Sequence, residues 1–380
     1  MVYRELGNTG KKVSIIGHGC ENLDRKPYSQ VEATVKTALD NGINIFEMFM
    51  PGKQIREDVA KALGDRRKDV FIQGHICSTD INQQYDISRD FETSKKYFED
   101  CLRIFGGYLD FGMIFFVDSD KDFNAIFDNG IVEYMQKRKE LGDIGHIGFS
   151  SHNPLVATKM IKTGIPELMM FSINLAFDLC PPDTYALGEL GSDFNKVDFR
   201  GINPERAELY KLCERMGVGI TVMKPLGAGK LLSTDHTPFS KPMTDIQCIH
   251  YALSRPAVAS ALVGCQTPEE IISSVKYLTA SDKEKDYTFF LDDMENDFMG
   301  HCVYCNHCQP CPVEIDIAAV NSYLDIAKLN EADIPPSIIS HYSELSVGGS
   351  ACVSCGSCES RCPFGVPIIE NMAEAARIFE

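Results

Sequence analysis

No stretch of this 380-residue chain approaches the roughly 20 consecutive apolar residues of a membrane span. The opening Met1-Val2-Tyr3-Arg4-Glu5-Leu6 also lacks the apolar run of a signal peptide. Together these absences predict a cytoplasmic protein with reduced thiols and no membrane partner. Positive charge is scarce: 37 Lys and Arg stand against 54 Asp and Glu, a net charge of −17. Phosphates would be repelled, which argues against a nucleic-acid partner. The charge suits solubility, or docking to a basic partner. A glycine-rich dinucleotide fingerprint opening the first helix is missing too, since Gly17-His18-Gly19 is too little for one. The rest of the composition, 44% hydrophobic and 24% charged, is that of a soluble globular protein, and the length predicts two or three domains.

What the chain does have is cysteine. Eight of its 15 cysteines fall in two short C-terminal runs. The first is Cys302-Val-Tyr-Cys305-Asn-His-Cys308-Gln-Pro-Cys311-Pro312, and the second is Cys352-Val-Ser-Cys355-Gly-Ser-Cys358-Glu-Ser-Arg-Cys362-Pro363. The second follows the bacterial ferredoxin spacing C-x2-C-x2-C-x3-C-P, and the first is one residue shorter between its last two cysteines. Three thiolates at this spacing fold around one corner of an iron–sulfur cube. The fourth reaches the neighbouring cluster, and the proline turns the chain away. The pattern predicts two [4Fe–4S] clusters that carry single electrons. Disulfides would need an oxidising compartment, and structural zinc commonly takes two separated C-x2-C pairs; both fit less well. The other seven cysteines are scattered, with no C-x2-C pair, and read as small buried hydrophobes.

Upstream of the cysteines, short apolar runs alternate with helix-like stretches. The strand-like runs are Val13–Gly17, Ile43–Phe46, Val70–Gln73, Phe111–Phe116, Gly145–Phe149, Leu168–Ile173, Val218–Met223 and Val258–Val263. Between them lie Val31–Asp40, Ser88–Phe105, Ile131–Glu140, Pro204–Met216 and Pro268–Leu278. Such alternation predicts a parallel sheet covered by helices. Eight units in this length match a closed (β/α)8 TIM barrel, with an open doubly wound sheet as the alternative. Residues 1–13 read as a hairpin turning at Gly7-Asn8-Thr9-Gly10 and plugging the barrel's N-terminal end. The expected division is a barrel over residues 1–285 and a small α-helical, ferredoxin-like iron–sulfur domain over 286–380. In the latter, Ile315–Leu329 and Pro367–Glu380 read as helices and Ile334-Pro335-Pro336 as a loop.

Several stretches in order resemble the aldo/keto reductase family. They are Tyr3–Gly10 with Val13–Gly19, Asp40–Phe46, Tyr108-Leu109-Asp110, Ile147–His152 and Val222–Leu232. The whole chain resembles the branch of that family with a C-terminal ferredoxin-like module. The resemblance implies a (β/α)8 barrel and, usually, NADP(H)-linked carbonyl reduction by an Asp, Tyr, Lys and His tetrad. All four positions differ here: Glu47 stands for Asp, Pro51 for Tyr, His75 for Lys, and Phe115 or Phe116 for His. Phenylalanine and proline side chains can neither donate nor protonate, so the tyrosine-acid mechanism is not expected. By the same resemblance Ser150 and Ser151 would face the nicotinamide, and Leu226, Gly227 and Gly229 the pyrophosphate, with Asn174 and Lys224 on the rim as further cofactor-binding candidates. The stretch Gly264–Glu270, near the adenosine in the family, carries no basic residue for a 2′-phosphate. NAD(P)H, a flavin or an empty pocket are thus all open.

Polar residues remain at the barrel's C-terminal rim, where barrel active sites lie. Glu47 and His75 leave adjacent strands, so their heads can meet. A carboxylate beside an imidazole orients it and favours its charged form. The pair is therefore the candidate proton donor, with a structural Glu–His pair as the plain alternative. His18, Asp118, His152, Asn153 and Asp178 share the rim. The expected function is an iron–sulfur oxidoreductase passing electrons between a ferredoxin or flavodoxin and a small molecule or nucleotide in the barrel. Two alternatives stand beside it. One is a non-redox isomerase or lyase using Glu47 and His75, with the clusters bracing the fold. The other is an electron carrier whose barrel has lost catalysis.

Overall fold

The computed structural model describes residues 1–81, 85–180, 203–293 and 299–380. Eight strands close into a barrel: β1 (Ile16–Gly19), β2 (Ile45–Met48), β3 (Phe71–Ile76), β4 (Leu109–Ile114), β5 (Ile144–Ser151), β6 (Leu168–Ser172), β7 (Gly219–Met223) and β8 (Val258–Val263). Neighbours run parallel: Phe46 pairs with Ile72, Met113 with Gly148, and Ala261 with Ile16. The closed barrel is the expected one, and the open sheet is excluded.

The barrel interior is packed rather than hollow. Ile45, Phe111, Met113, Leu168, Met170, Ala259 and Leu262 form one buried cluster, which Leu6 and Val13 complete. Leu6 and Val13 come from the N-terminal hairpin, in which Tyr3–Glu5 pairs antiparallel with Lys12–Ser14. The hairpin approaches β7 so closely that a Cβ at Gly219 would stand 2.5 Å from the Gly7 nitrogen, which only glycine permits.

The expected first strand, Val13–Gly17, is split at Ile15. Asn44 is the cause: its Oδ1 accepts the Ser14 N–H at 2.7 Å and its own N–H donates to Ser14 Oγ at 3.1 Å. Residues 12–14 are thereby held in the hairpin, while 16–19 enter the barrel. Helices start where polar caps satisfy their first N–H groups. Asp90 accepts from the Thr93 N–H before Phe91–Ile104, Asn203 accepts from Glu205 and Arg206 before Pro204–Met216, and Thr267 accepts from Glu270 before Pro268–Val275.

The chain groups into two compact units. The first comprises Met1–Ile173, Val218–Pro225 and Ala259–Leu278; the second comprises Asn174–Gly217, Leu226–Val258 and Thr279–Glu380. The second unit is helical among its described residues. It contains Pro204–Met216, Asp245–Leu253, Ile317–Ala327, Pro336–Ser343 and Ile368–Phe379, and Ile317–Ala327 packs against Ile368–Phe379. Its buried anchor is Asp178, which accepts from Arg206 Nε at 2.7 Å and from the hydroxyls of Tyr210 and Tyr251 at 2.6 and 2.8 Å. No helix among the described residues is long and apolar enough to cross a membrane.

Candidate functional site

In the first unit, Glu47 is the penultimate residue of β2 and His75 that of β3, both buried. Their heads meet, with His75 Nε2 3.0 Å from Glu47 Oε1. The contact is close but poorly aligned, and neither of those two atoms nor His75 Nδ1 has a hydrogen-bond partner among the described residues. Aromatic rings enclose the imidazole. Phe49 and Phe115 stack on each other at 5.3 Å, His75 meets both edge-on, and Tyr85 closes on the same two rings.

A second arrangement spans β5 and the segments after β4 and β7. Asp118 accepts from the His152 backbone N–H at 2.7 Å, from His152 Nδ1 at 2.9 Å and from Ser151 Oγ at 3.0 Å. Burial alone would raise the Asp118 carboxyl, but these bonds from His152 and Ser151 outweigh it and hold the group below its ordinary value. On the far side of the ring, His152 Nε2 lies 3.3 Å from Lys224 Nζ. Lys224 is half-buried and holds a left-handed backbone with φ of 56°, unusual for a residue with a Cβ. Burial pulls its ammonium below the ordinary lysine value, against the opposing charges of Glu21, Asp118 and Glu47.

His18, on β1, is the third imidazole of this rim. Its Nε2–H donates to the Cys265 carbonyl at 2.9 Å while Nδ1 has no hydrogen-bond partner among the described residues. Burial outweighs that bond and the charge of Glu270, pulling the group down to about 4, so His18 is neutral at physiological pH.

The residues expected at a nucleotide are divided by the fold. Ser150 Oγ accepts the Phe116 N–H at 2.8 Å, and Ser151 is engaged with Asp118. Both belong with Lys224 to the first unit. Asn174 belongs to the second, where its Oδ1 caps the short helix Leu175–Asp178 by accepting from the Phe177 N–H. Leu226, Gly227 and Gly229 belong there as well; Gly227 and Gly229 take φ of 58° and 83° in a tight turn that suits glycine.

The eight clustered cysteines line two cavities of the second unit. Cys302, Cys305 and Cys308 share one with Cys362, and Cys352, Cys355 and Cys358 share the other with Cys311. Each cavity thus draws three thiols from one run and the fourth from the other. Arg361 ties the runs together by donating to the carbonyls of Cys308 and Pro310, at 2.6 and 2.7 Å. Among the described residues no three His, Cys, Asp or Glu side chains are grouped as a single metal ion would need; the thiols stand around the cavity walls. Sequence reasoning named the cysteines but missed Arg361, whose place beside Cys362 was the only signal. It also named Asp118, His152 and Lys224 separately without their connection.

Residues 16–246 match the aldo/keto reductase family. Among solved structures, aldo-keto reductase AKR11C1 from Bacillus halodurans in its holo form is 20% identical with a TM-score of 0.58, covering 75% of this chain and 94% of that one. A candidate aldo-keto reductase from Pseudomonas aeruginosa is 16% identical with a TM-score of 0.54, covering 73% and 96%. These likenesses agree with the barrel fold. No curated protein matches the chain. With the family match spanning 231 of 380 residues (16 to 246) and the closed parallel barrel behind it, this chain belongs to the aldo/keto reductase family.

Proposed function

We propose that this chain is an iron–sulfur oxidoreductase built on an aldo/keto reductase barrel. The observation that carries the reading is the exchange of the fourth cysteine between the two runs, Cys362 joining the first trio and Cys311 the second. That exchange is what two neighbouring [4Fe–4S] clusters of ferredoxin type call for. Thiols spread around a cavity wall suit a cluster with a volume of its own; a zinc ion would draw four sulfurs to within about 2.3 Å of one point. When bound, such clusters supply single-electron transfer. The chain's own residues would then hold the clusters, accept electrons from a ferredoxin- or flavodoxin-like partner and bind the small molecule reduced or oxidised in the barrel.

All four tetrad positions differ from the family's pattern, so proton transfer falls to the chain's remaining groups. Glu47 and His75 are the candidates, since a buried carboxylate and imidazole 3.0 Å apart with unsatisfied atoms are available to a third group. A nucleotide facing Ser150, Ser151, Asn174, Lys224, Leu226, Gly227 and Gly229 is carried on family membership alone, with NAD(H) or a flavin favoured over NADP(H) because Gly264–Glu270 offers acids and no base. The same unsatisfied pair favours one second reading, an isomerase or lyase with bracing clusters.

Iron analysis of protein purified without oxygen tests the proposal. About eight iron atoms per chain are expected, with signals that appear on titration with a low-potential reductant. Zinc, or far less iron, would sink it; iron that stays redox-silent would leave the acid/base reading in its place.

A further inference from the structure

We infer that Lys224 is an amine nucleophile that forms an imine with a carbonyl substrate, with His152 and Asp118 as its proton relay. The proposal stands on geometry within the first unit and does not rest on the iron–sulfur reading. Asp118 Oδ2 lies 2.9 Å from His152 Nδ1, which fixes the tautomer: Nδ1 carries the proton and Nε2 presents its lone pair. That lone pair faces Lys224 Nζ at 3.3 Å, so the ammonium donates to it. The order acid, imidazole, nucleophile follows the logic by which a base, itself oriented by a third group, activates a weak nucleophile.

Two further features set Lys224 apart. Its φ of 56° places a Cβ-bearing residue in the left-handed region, the kind of strain that concentrates at functional sites. It also follows β7 directly, at the rim where barrel enzymes carry their chemistry. Burial favours the neutral amine against the carboxylates facing it, Glu21, Asp118 and Glu47, and the net shift is downward. Phe116, edge-tilted on the His152 ring at 5.0 Å, helps keep that ring in place.

The step balances without any oxidant or reductant. The Lys224 ammonium gives one proton to His152 Nε2, and the freed nitrogen pair attacks the carbonyl carbon, so a C–N bond forms and the C–O π pair moves to oxygen. A second proton passes from nitrogen to that oxygen. His152 returns the first proton, the C–O bond breaks, and water leaves behind a protonated imine. The substrate class is an aldehyde, a ketone or an α-keto acid.

The test uses the full-length protein, kept free of oxygen, with acetaldehyde as the probe and cyanoborohydride, which reduces imines to stable secondary amines. Peptide mass mapping then follows ethylation lysine by lysine near pH 7. Lys224 is expected to be labelled at least about tenfold faster than exposed lysines such as Lys53 and Lys137. His152→Gln should slow Lys224 by about tenfold or more while the exposed lysines keep their rates, with circular dichroism and a cooperative urea transition showing that the variant is folded. Labelling of Lys224 no faster than its exposed counterparts would overturn the nucleophile. Fast labelling that survives His152→Gln would overturn the relay.

Discussion

Two carboxylate–imidazole pairs stand at the same end of one barrel, and they are built in opposite ways. Asp118 and His152 are saturated: the carboxylate accepts three hydrogen bonds, and the ring is engaged on both nitrogens. Glu47 and His75 are as deeply buried and equally close, yet three of their four side-chain polar atoms have no hydrogen-bond partner among the described residues. A satisfied buried network rigidifies its surroundings, whereas an unsatisfied one is costly and persists where something other than stability retains it. The first pair therefore reads as a fixed device that positions Lys224. The second reads as an opening for a group the protein does not supply.

The largest effect that separates them is on stability. Asp118→Ala removes the acceptor of three bonds and strands the His152 ring, and the loss of one partner from a buried pair costs about 3–5 kcal/mol. Urea unfolding should show that drop for Asp118→Ala, and a change below about 1 kcal/mol would mean that the saturated network braces nothing. The acid limb follows in sign. The folded Asp118 carboxyl is held low, so its contribution is fully present above the unfolded carboxyl's ordinary range, near 4, and is lost as pH falls through the folded value.

The sequence made the unsaturated pair legible and left the saturated network dark, for a topological reason. Glu47 and His75 sit one residue from the C-terminal ends of strands that are neighbours both in sequence and in the barrel, so their meeting follows from strand order alone. Lys224 follows β7, two strands away from β5, and meets His152 only because rim side chains converge across the intervening β6. Periodicity cannot report that convergence. Apolar patterning marks strands well where nothing competes locally: it gives Val258–Val263 to the residue and Leu168–Ile173 to within one. It fails where a distant side chain decides, as Asn44 does for Ser14. The segment Ile334-Pro335-Pro336 reads as a loop and is one through Pro335, whereas Pro336 opens the helix Pro336–Ser343, because proline fits the first helical position that its missing N–H leaves free.

His18, the third imidazole, sharpens the comparison because it is half of each case: one nitrogen bonded, one not. Its folded value near 4 lies below the ordinary 6.5, so between those limits the unfolded chain binds the extra proton. Stability should thus be full above pH 6.5 and fall as pH drops toward 4, a gap worth about 3 kcal/mol. Unfolding midpoints across that range, measured for the native chain and for His18→Gln, test this: the variant's profile should be flatter there. Equal slopes would mean that His18 is charged or solvated in the folded protein.

The smallest expected effect is the most informative about the unsaturated pair. Each buried polar atom without a partner costs about 1–3 kcal/mol, and replacing a buried ionic pair by apolar residues of similar size is often neutral or stabilising. The double variant Glu47→Leu with His75→Phe should therefore leave the unfolding free energy within about 1 kcal/mol of the native value, or raise it, since Phe49 and Phe115 already offer His75 an aromatic surround. A loss above about 3 kcal/mol would show that Glu47 and His75 hold the barrel together. Retained stability would separate them from the Asp118 network and leave chemistry at the barrel mouth as the reason two unsatisfied polar groups are kept there.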